Sequence, residues 1–558
     1  MIKSNGFVIK KCIDNSQNVK YISFTVNELN EGFLLKKYNS YINFFGKVLP
    51  YNDSVDNLFE EVKIKYGFKN ILLSGRIIET ANLNDKINKA FKYLSEQHSF
   101  SKFSEIDGDY IIAIESEDYF FAYCGQCSQY PAFWSFNGNC LKFSNYHKFI
   151  SDKINRDLLI PFCCGYKINF FDDLLILKPN CALIVDYVAK KSKVITKVIS
   201  PSNPFNGKET LPEISELIYS ALLRSVENYS KDYDKIALLL SGGIDSEAIA
   251  RCLYDLNKNF KCYTLSCPKE DASEFRFSKK TGNMLGISVS EIRPDLYHES
   301  LIIPKNKTTF PIGHAVSNWS KILFEQAIQD DAKIIFTGHM AEILDGDKSE
   351  GSFSKHQELT QKSYNFRTNI CNRLALKYCI PRPFYNYINS FDIFTPEAIK
   401  KIKVTFSNTK LFDTFLLDMY SYKINGMDLY NLSYEAPFLS KELFDIAYFL
   451  PSWAISGYHG GVRISKIALR YSMVDKLPME VVGHCYPGNI DYCLQTTLCS
   501  NYDDVVKFFT NEKLLIREGI VDLLKIKSLR GNNKLIMKNA VPLQLVCNIQ
   551  QWLDYQNN

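Results

Sequence analysis

Residues 235–246, KIALLLSGGIDS, restrict this chain more than any other stretch. Residues 236–240 are an unbroken apolar run ending in Ser241, Gly242 and Gly243. A run so short and so apolar predicts a buried parallel strand. Beyond the glycines, Ile244, Ala248, Ile249, Cys252 and Leu253 recur at helical spacing. Strand, glycine turn and helix aim free backbone N–H groups and a positive helix end at one point. Such a point favours an anion, most often phosphate. Gly242 and Gly243 let the backbone approach that anion closely. Ser241 and Ser246 add hydroxyl groups. Asp245 suits an anion site only if a cation joins it, and Mg²⁺ shared between a carboxylate and phosphates meets both needs. No Gly-Lys-Ser/Thr follows, so this is not the Walker loop.

A chain of 558 residues is too long for one core. The segment SPSNPFNG at 200–207 is its best boundary. It predicts one domain over 1–199 and a second over 208–558. The net charge of +5 is too small for a nucleic-acid partner. No apolar run is long enough to span a bilayer, and the opening residues carry no signal-peptide core. Sixteen cysteines scattered through a large chain predict reduced thiols and a cytoplasmic location. Cys124 and Cys127 form a C-x-x-C without a second pair at zinc spacing, so they read as structural.

The first domain reads as strands at 21–26, 41–49 and 70–78, a helix at 85–97, and a β-meander over 108–150. In the second, a helix at 211–229 leads into the glycine-loop strand. Further strands follow near 260–266 and 287–294, with a helix over 274–285 between them. Alternation of this kind predicts a doubly wound parallel sheet with its ligand at the carboxyl ends of the strands. Residues 333–346 form another apolar run entering a polar loop. Residues 412–451 read as helical.

The SGGIDS loop resembles that of the ATP pyrophosphatase superfamily, and the chain as a whole resembles asparagine synthetases. Thr337, Gly338, Leu344 and Gly346 fit that family's second acidic loop, with Glu342 at its acidic position and His339 in place of its glutamate. Pro437, Phe438, Leu439 and Leu443 fit a later motif, which puts Glu435 near the substrate. Ser465, Lys466 and Arg470 fit another. The family's catalytic lysine is absent; Tyr486 stands there, and Lys466, Arg463 or His484 are the candidates to replace it. The resemblance implies an α/β protein: an N-terminal glutaminase-like αββα domain followed by a parallel-sheet ATP pyrophosphatase domain. It places Leu240, Ser241, Gly242, Gly243, Asp245, Ser246, Ser266 and Gly338 around ATP, and Asp245 and Glu342 on Mg²⁺. His339, Glu435 and Lys466 become the catalytic residues.

Glutaminases of that family use an N-terminal cysteine whose own amine is the base. This chain begins Met1-Ile2-Lys3 and its first cysteine is Cys12. The resemblance therefore implies a first domain dead in glutamine hydrolysis, and an amine carried by the substrate itself. Relatives of that kind close intramolecular amides: β-lactam synthetases and lasso-peptide macrolactam cyclases. The Gly338-His339 pair is closer to the lasso type, for which a precursor-peptide protease would be a partner. Two other readings stay open: an amide synthetase taking ammonia or an external amine, and a nucleotide-binding pseudoenzyme.

Overall fold

The computed structural model describes residues 53–77, 82–145, 171–196, 202–266, 274–293, 320–345, 393–397, 432–459, 462–485 and 490–556. It also describes the strands at 5–12 and 19–25 and scattered residues at 147–163 and 302–303. The chain divides into two compact units. Unit 1 comprises Met1–Ile154, Phe171–Asn203 and Leu439–Asp445; unit 2 comprises Asn155–Phe170, Pro204–Phe438 and Ile446–Asn558. The expected strand at 41–49 lies outside the described residues. No helix of the described residues is long and apolar enough to cross a membrane.

Unit 1 holds two antiparallel five-stranded sheets. The first contains β1 (Asn5–Cys12), β2 (Val19–Thr25), β6 (Phe133–Phe136), β7 (Cys140–Ser144) and β8 (Leu175–Ile176), in the order β2-β1-β7-β6-β8. The second contains β3 (Asn70–Ile77), β4 (Gly108–Glu115), β5 (Tyr119–Cys124), β9 (Cys181–Asp186) and β10 (Lys191–Thr196), in the order β10-β9-β5-β4-β3. Side-chain alternation explains the layering. Tyr110, Ile112 and Ile114 of β4 and Phe121 and Tyr123 of β5 join a core with the helices α1 (Asp53–Tyr66) and α2 (Leu83–Gln97). Phe120, on the opposite face of β5, packs on Phe143 of β7 with ring centroids 5.4 Å apart, and so joins the two sheets. β4 is thus buried on both faces. The sequence reading misses β1 and α1. β1 carries only a three-residue apolar run, 7–9, followed by two lysines, while α1 shows Phe59 and Val62 at one helical face among many charges.

Unit 2 is built on a parallel sheet. Its strands are β11 (Ile236–Leu239), β12 (Phe260–Leu265), β13 (Val289–Ile292), β14 (Ile334–Thr337) and β15 (Ser433–Glu435), in the order β13-β12-β11-β14-β15. Every neighbouring pair is parallel. The helices α3 (Leu211–Ser230), α4 (Ile244–Asp255), α5 (Phe275–Leu285) and α6 (Ser320–Gln329) alternate with these strands. α3 starts at a capping box formed by Thr210 and Glu213. From β11 the chain winds outward through β12 to β13, then returns to place β14 on the other side of β11. The switch point therefore lies between β11 and β14, where doubly wound sheets bind ligands.

One expectation is corrected here. Glu435 is not on a helix: residues 433–435 form the edge strand β15, and the next helix, α7 (Lys441–Phe449), begins only after it. Pro437 supplies the reason, because proline lacks an N–H and holds the preceding residue extended. The remaining residues of that expected helix, 412–431, lie outside the described residues.

Candidate functional site

The switch point carries the glycine loop. Leu240 is buried and its N–H donates to the Tyr263 carbonyl at 2.9 Å, which prolongs the sheet. Gly242 has φ of +83°, and a Cβ there would lie 2.5 Å from the Glu274 carbonyl oxygen. Only glycine fits that turn without strain. Gly243 is the N-cap of α4 and carries no capping side chain of its own. The loop is cross-braced by its serines. Ser241 N–H donates to Ser246 Oγ at 2.9 Å, the two hydroxyl oxygens are 3.0 Å apart, and Gly243 N–H donates to Ser241 Oγ at 3.3 Å. Strand, turn and helix occur as the spacing of 235–246 predicts.

The loop after β14 closes on this helix end. A Cβ on Gly338 would lie 2.8 Å from Ser246 N and 3.0 Å from Asp245 Cβ. The absence of a side chain is what lets the two loops touch. A short turn, Ala341–Leu344, then brings in Glu342. From far along the chain comes Lys466, whose Nζ donates to Asp245 Oδ2 at 2.6 Å. Lys466 is 7 % exposed and sits at φ +55°, the N-cap of helix α8 (Ile467–Ser472). Its turn is pinned by Arg470, whose Nε donates to the Ser465 carbonyl at 2.8 Å and whose Nη1 donates to the Val482 carbonyl at 2.6 Å.

Asp245 Oδ1 and Glu342 Oε2 are buried and have no hydrogen-bond partner. Burial raises the Glu342 carboxyl above the ordinary range; the Lys466 ammonium pulls it back, and the Asp245 carboxylate pushes it further up. Burial also works against the charge on Lys466, but the carboxylates of Asp245, Glu342 and Asp345 outweigh it and hold the ammonium above its usual range. Two buried carboxylate oxygens without partners suit a hard cation that takes its remaining ligands from phosphate and water. The residues therefore fit Mg²⁺ brought against a phosphate chain. No group of three or more His, Cys, Asp or Glu side chains converges as a metal cluster among the described residues.

The other expected residues have these partners. His339 lies on the same loop as Gly338, and its Nδ1 is 2.9 Å from the hydroxyl of Tyr434, a residue 1 % exposed. Tyr434 precedes Glu435 on β15, and alternate residues of a strand face opposite ways. Glu435 is buried and accepts from Ser433 Oγ at 2.6 Å. Ser266, buried at the end of β12, donates to Glu291 Oε1 at 2.5 Å. Its hydroxyl is thus engaged within the sheet. His484 Nε2 lies 3.2 Å from Glu274 Oε1 and its ring stacks on Phe277 at 4.0 Å. Gly346 and Tyr486 lie outside the described residues, as does the side chain of Arg463.

Sequence reasoning misses two residues at the site. Tyr434 is one. The other is Glu247, one turn into α4, which is fully buried. Burial pushes its carboxyl up to about 8, against weaker opposing pulls from Thr281, the Gly242 amide and Ser278. In unit 1, Cys124 and Cys127 are buried free thiols, and burial pushes both well up.

A parallel sheet in this order, with a glycine loop and two buried carboxylates at its switch point, defines an α/β unit with the architecture of doubly wound ligand-binding folds. Residues 217–347 match the asparagine synthase family model. That segment runs from within α3 through the acidic loop of Glu342. No curated protein matches the sequence. Among solved structures, the chain is similar to an allosteric regulatory enzyme of purine biosynthesis at 8% identity and TM-score 0.22, covering 52% of this chain and 74% of that one. It is similar to the glutamine phosphoribosylpyrophosphate amidotransferase of B. subtilis at 10% identity and TM-score 0.20, covering 52% and 75%. It is similar to a glutamine-dependent NAD⁺ synthetase from Acinetobacter baumannii at 11% identity and TM-score 0.20, covering 61% and 75%. Scores that low carry no weight; the fold rests on the sheets described above.

Proposed function

We propose that the protein is an ATP-dependent amide-forming ligase that activates a carboxylate as an acyl adenylate, releasing pyrophosphate, before an amine displaces AMP. The observation that carries this reading is the convergence of the 241–246 loop, Asp245, Glu342 and Lys466 at the sheet's switch point. The loop amides and the two serine hydroxyls bind phosphate oxygens. Asp245 and Glu342 are the residues that would hold Mg²⁺, which would supply positive charge against the phosphates. Lys466 adds a fixed positive charge beside it. His339, held by Tyr434, is placed to take the proton of the attacking amine.

The finer reading is that the amine belongs to the same molecule as the carboxylate, as in a peptide closed to a macrolactam of the lasso type. Cys12 ends β1 and has chain on both sides, so it has no free amine to act as its base. An ammonia supply by that route is therefore absent from this reading. Holding a linear peptide folded offsets the entropy of ring closure. The test is mass spectrometry of a candidate precursor peptide with ATP and Mg²⁺. AMP with loss of one water from the peptide supports the proposal, and Asp245→Ala should lose about 100-fold or more in AMP formation. Production of ADP would overturn adenylation. Condensation with added ammonia would overturn only the intramolecular step.

A further inference from the structure

We infer that Lys466 is a charge gate on the metal: in the ligand-free chain its ammonium is the counter-ion of Asp245, so a divalent cation is admitted only together with its nucleotide. The inference rests on the nucleotide reading of the site and adds an order of events to it. Lys466 Nζ lies 2.6 Å from Asp245 Oδ2, a full charge-assisted contact. Its stem is buried, and the Arg470 bonds to the Ser465 and Val482 carbonyls fix the turn that presents it. The ammonium has little freedom to swing into solvent and make room.

A bare divalent ion seeking Asp245 Oδ1 and Glu342 Oε2 would approach a fixed positive charge one carboxylate away. Like charges at that range repel strongly wherever water is largely excluded. A nucleotide changes the balance. Its phosphates, held by the loop amides, bring negative charge that Lys466 can contact in place of Asp245. Asp245 Oδ2 is then released, and the cation meets two carboxylates and phosphate oxygens together. Metal and nucleotide would bind as one body.

The probe is Mn²⁺, followed on the full chain by water-proton relaxation, whose enhancement over the aquo ion and over the Mn²⁺-analogue complex in protein-free controls reports protein-bound metal. Wild type without nucleotide should bind Mn²⁺ weakly, and a non-hydrolysable ATP analogue should tighten it at least tenfold. Lys466→Met should bind Mn²⁺ without nucleotide at least tenfold more tightly than wild type, and adding Asp245→Asn should abolish that gain. Equal Mn²⁺ affinity of wild type with and without the analogue overturns the gate, even if Lys466→Met does not fold. So does a folded Lys466→Met with unchanged nucleotide-free affinity. Failure of the analogue to bind wild type with any metal overturns the nucleotide reading itself, and the gate with it.

Discussion

His339 and Tyr434 meet at 2.9 Å although they are far apart in sequence, and that contact is the residue-scale feature most open to test. The tyrosine is buried, its ring packs edge-on against Phe324 at 5.9 Å and lies 6.1 Å from the His339 ring, and its hydroxyl makes the contact to His339 Nδ1. Tyr434→Phe keeps the packing and removes the bond, at a cost of about 1 kcal/mol. Combined with His339→Ala it should show a coupling of roughly 0.5 kcal/mol or more. Denaturant unfolding of the four proteins measures it, and strict additivity would refute the contact. Glu247 supports a second prediction. Its carboxyl is raised from 4.5 to about 8 by burial, so the folded chain takes up a proton that the unfolded chain releases. The stabilising balance is therefore whole below pH 4.5 and falls as pH rises towards about 8, by at most about 1.4 kcal/mol per unit. Urea unfolding should find wild type weaker at about pH 8.5 than at about pH 5.5, and Glu247→Gln should flatten the decline. A decline that survives in Glu247→Gln assigns it to another group.

At the scale of elements, the site depends on two loops from neighbouring strands touching at their glycines. Gly338→Ala places a methyl 2.8 Å from Ser246 N, a backbone atom that cannot move without opening the helix end. We expect it to weaken Mg²⁺-nucleotide binding at least tenfold while costing roughly 1–3 kcal/mol of stability. Isothermal titration checks the first and denaturant unfolding the second; unchanged affinity would refute the close approach as a requirement. The same scale shows what sequence can carry. The strand, turn and helix of 235–246 are legible because apolar run, glycines and helical spacing follow one another without interruption. The pairing of Lys466 with Asp245 is not, since nothing local links positions more than two hundred residues apart. Glu247 looks like an ordinary acidic residue in a first helical turn, where the helix dipole favours it on the surface. Only the packing of α5 over α4 turns it into a buried acid. The strand at 433–435 is too short for periodicity to register, and its flanking apolar residues suggest a helix until Pro437 is weighed.

For the molecule as a whole, the residues of the proposed nucleotide site fall in one of two compact units. The 241–246 loop, Gly338, Glu342, Tyr434 and Lys466 all belong to unit 2. Unit 1 has a core of its own, centred on Phe91, which is fully buried and meets Phe59, Phe68 and Phe103 at ring distances of 5.7, 5.7 and 5.5 Å. Phe91→Ala should cost unit 1 about 3–5 kcal/mol, because the aromatic cluster around it cannot collapse onto so large a void. None of the described residues proposed for the nucleotide site belongs to that cluster. Under conditions where the variant remains folded, its affinity for a Mg²⁺-nucleotide should therefore stay within about twofold of wild type, equivalent to less than about 0.5 kcal/mol. Saturating nucleotide should stabilise wild type by about 2.7 kcal/mol at one hundred times the dissociation constant. Denaturant unfolding with and without ligand, beside direct titration, separates the two effects. A tenfold loss of affinity in Phe91→Ala would show that the first core shapes the nucleotide site, and the division of labour would have to be abandoned.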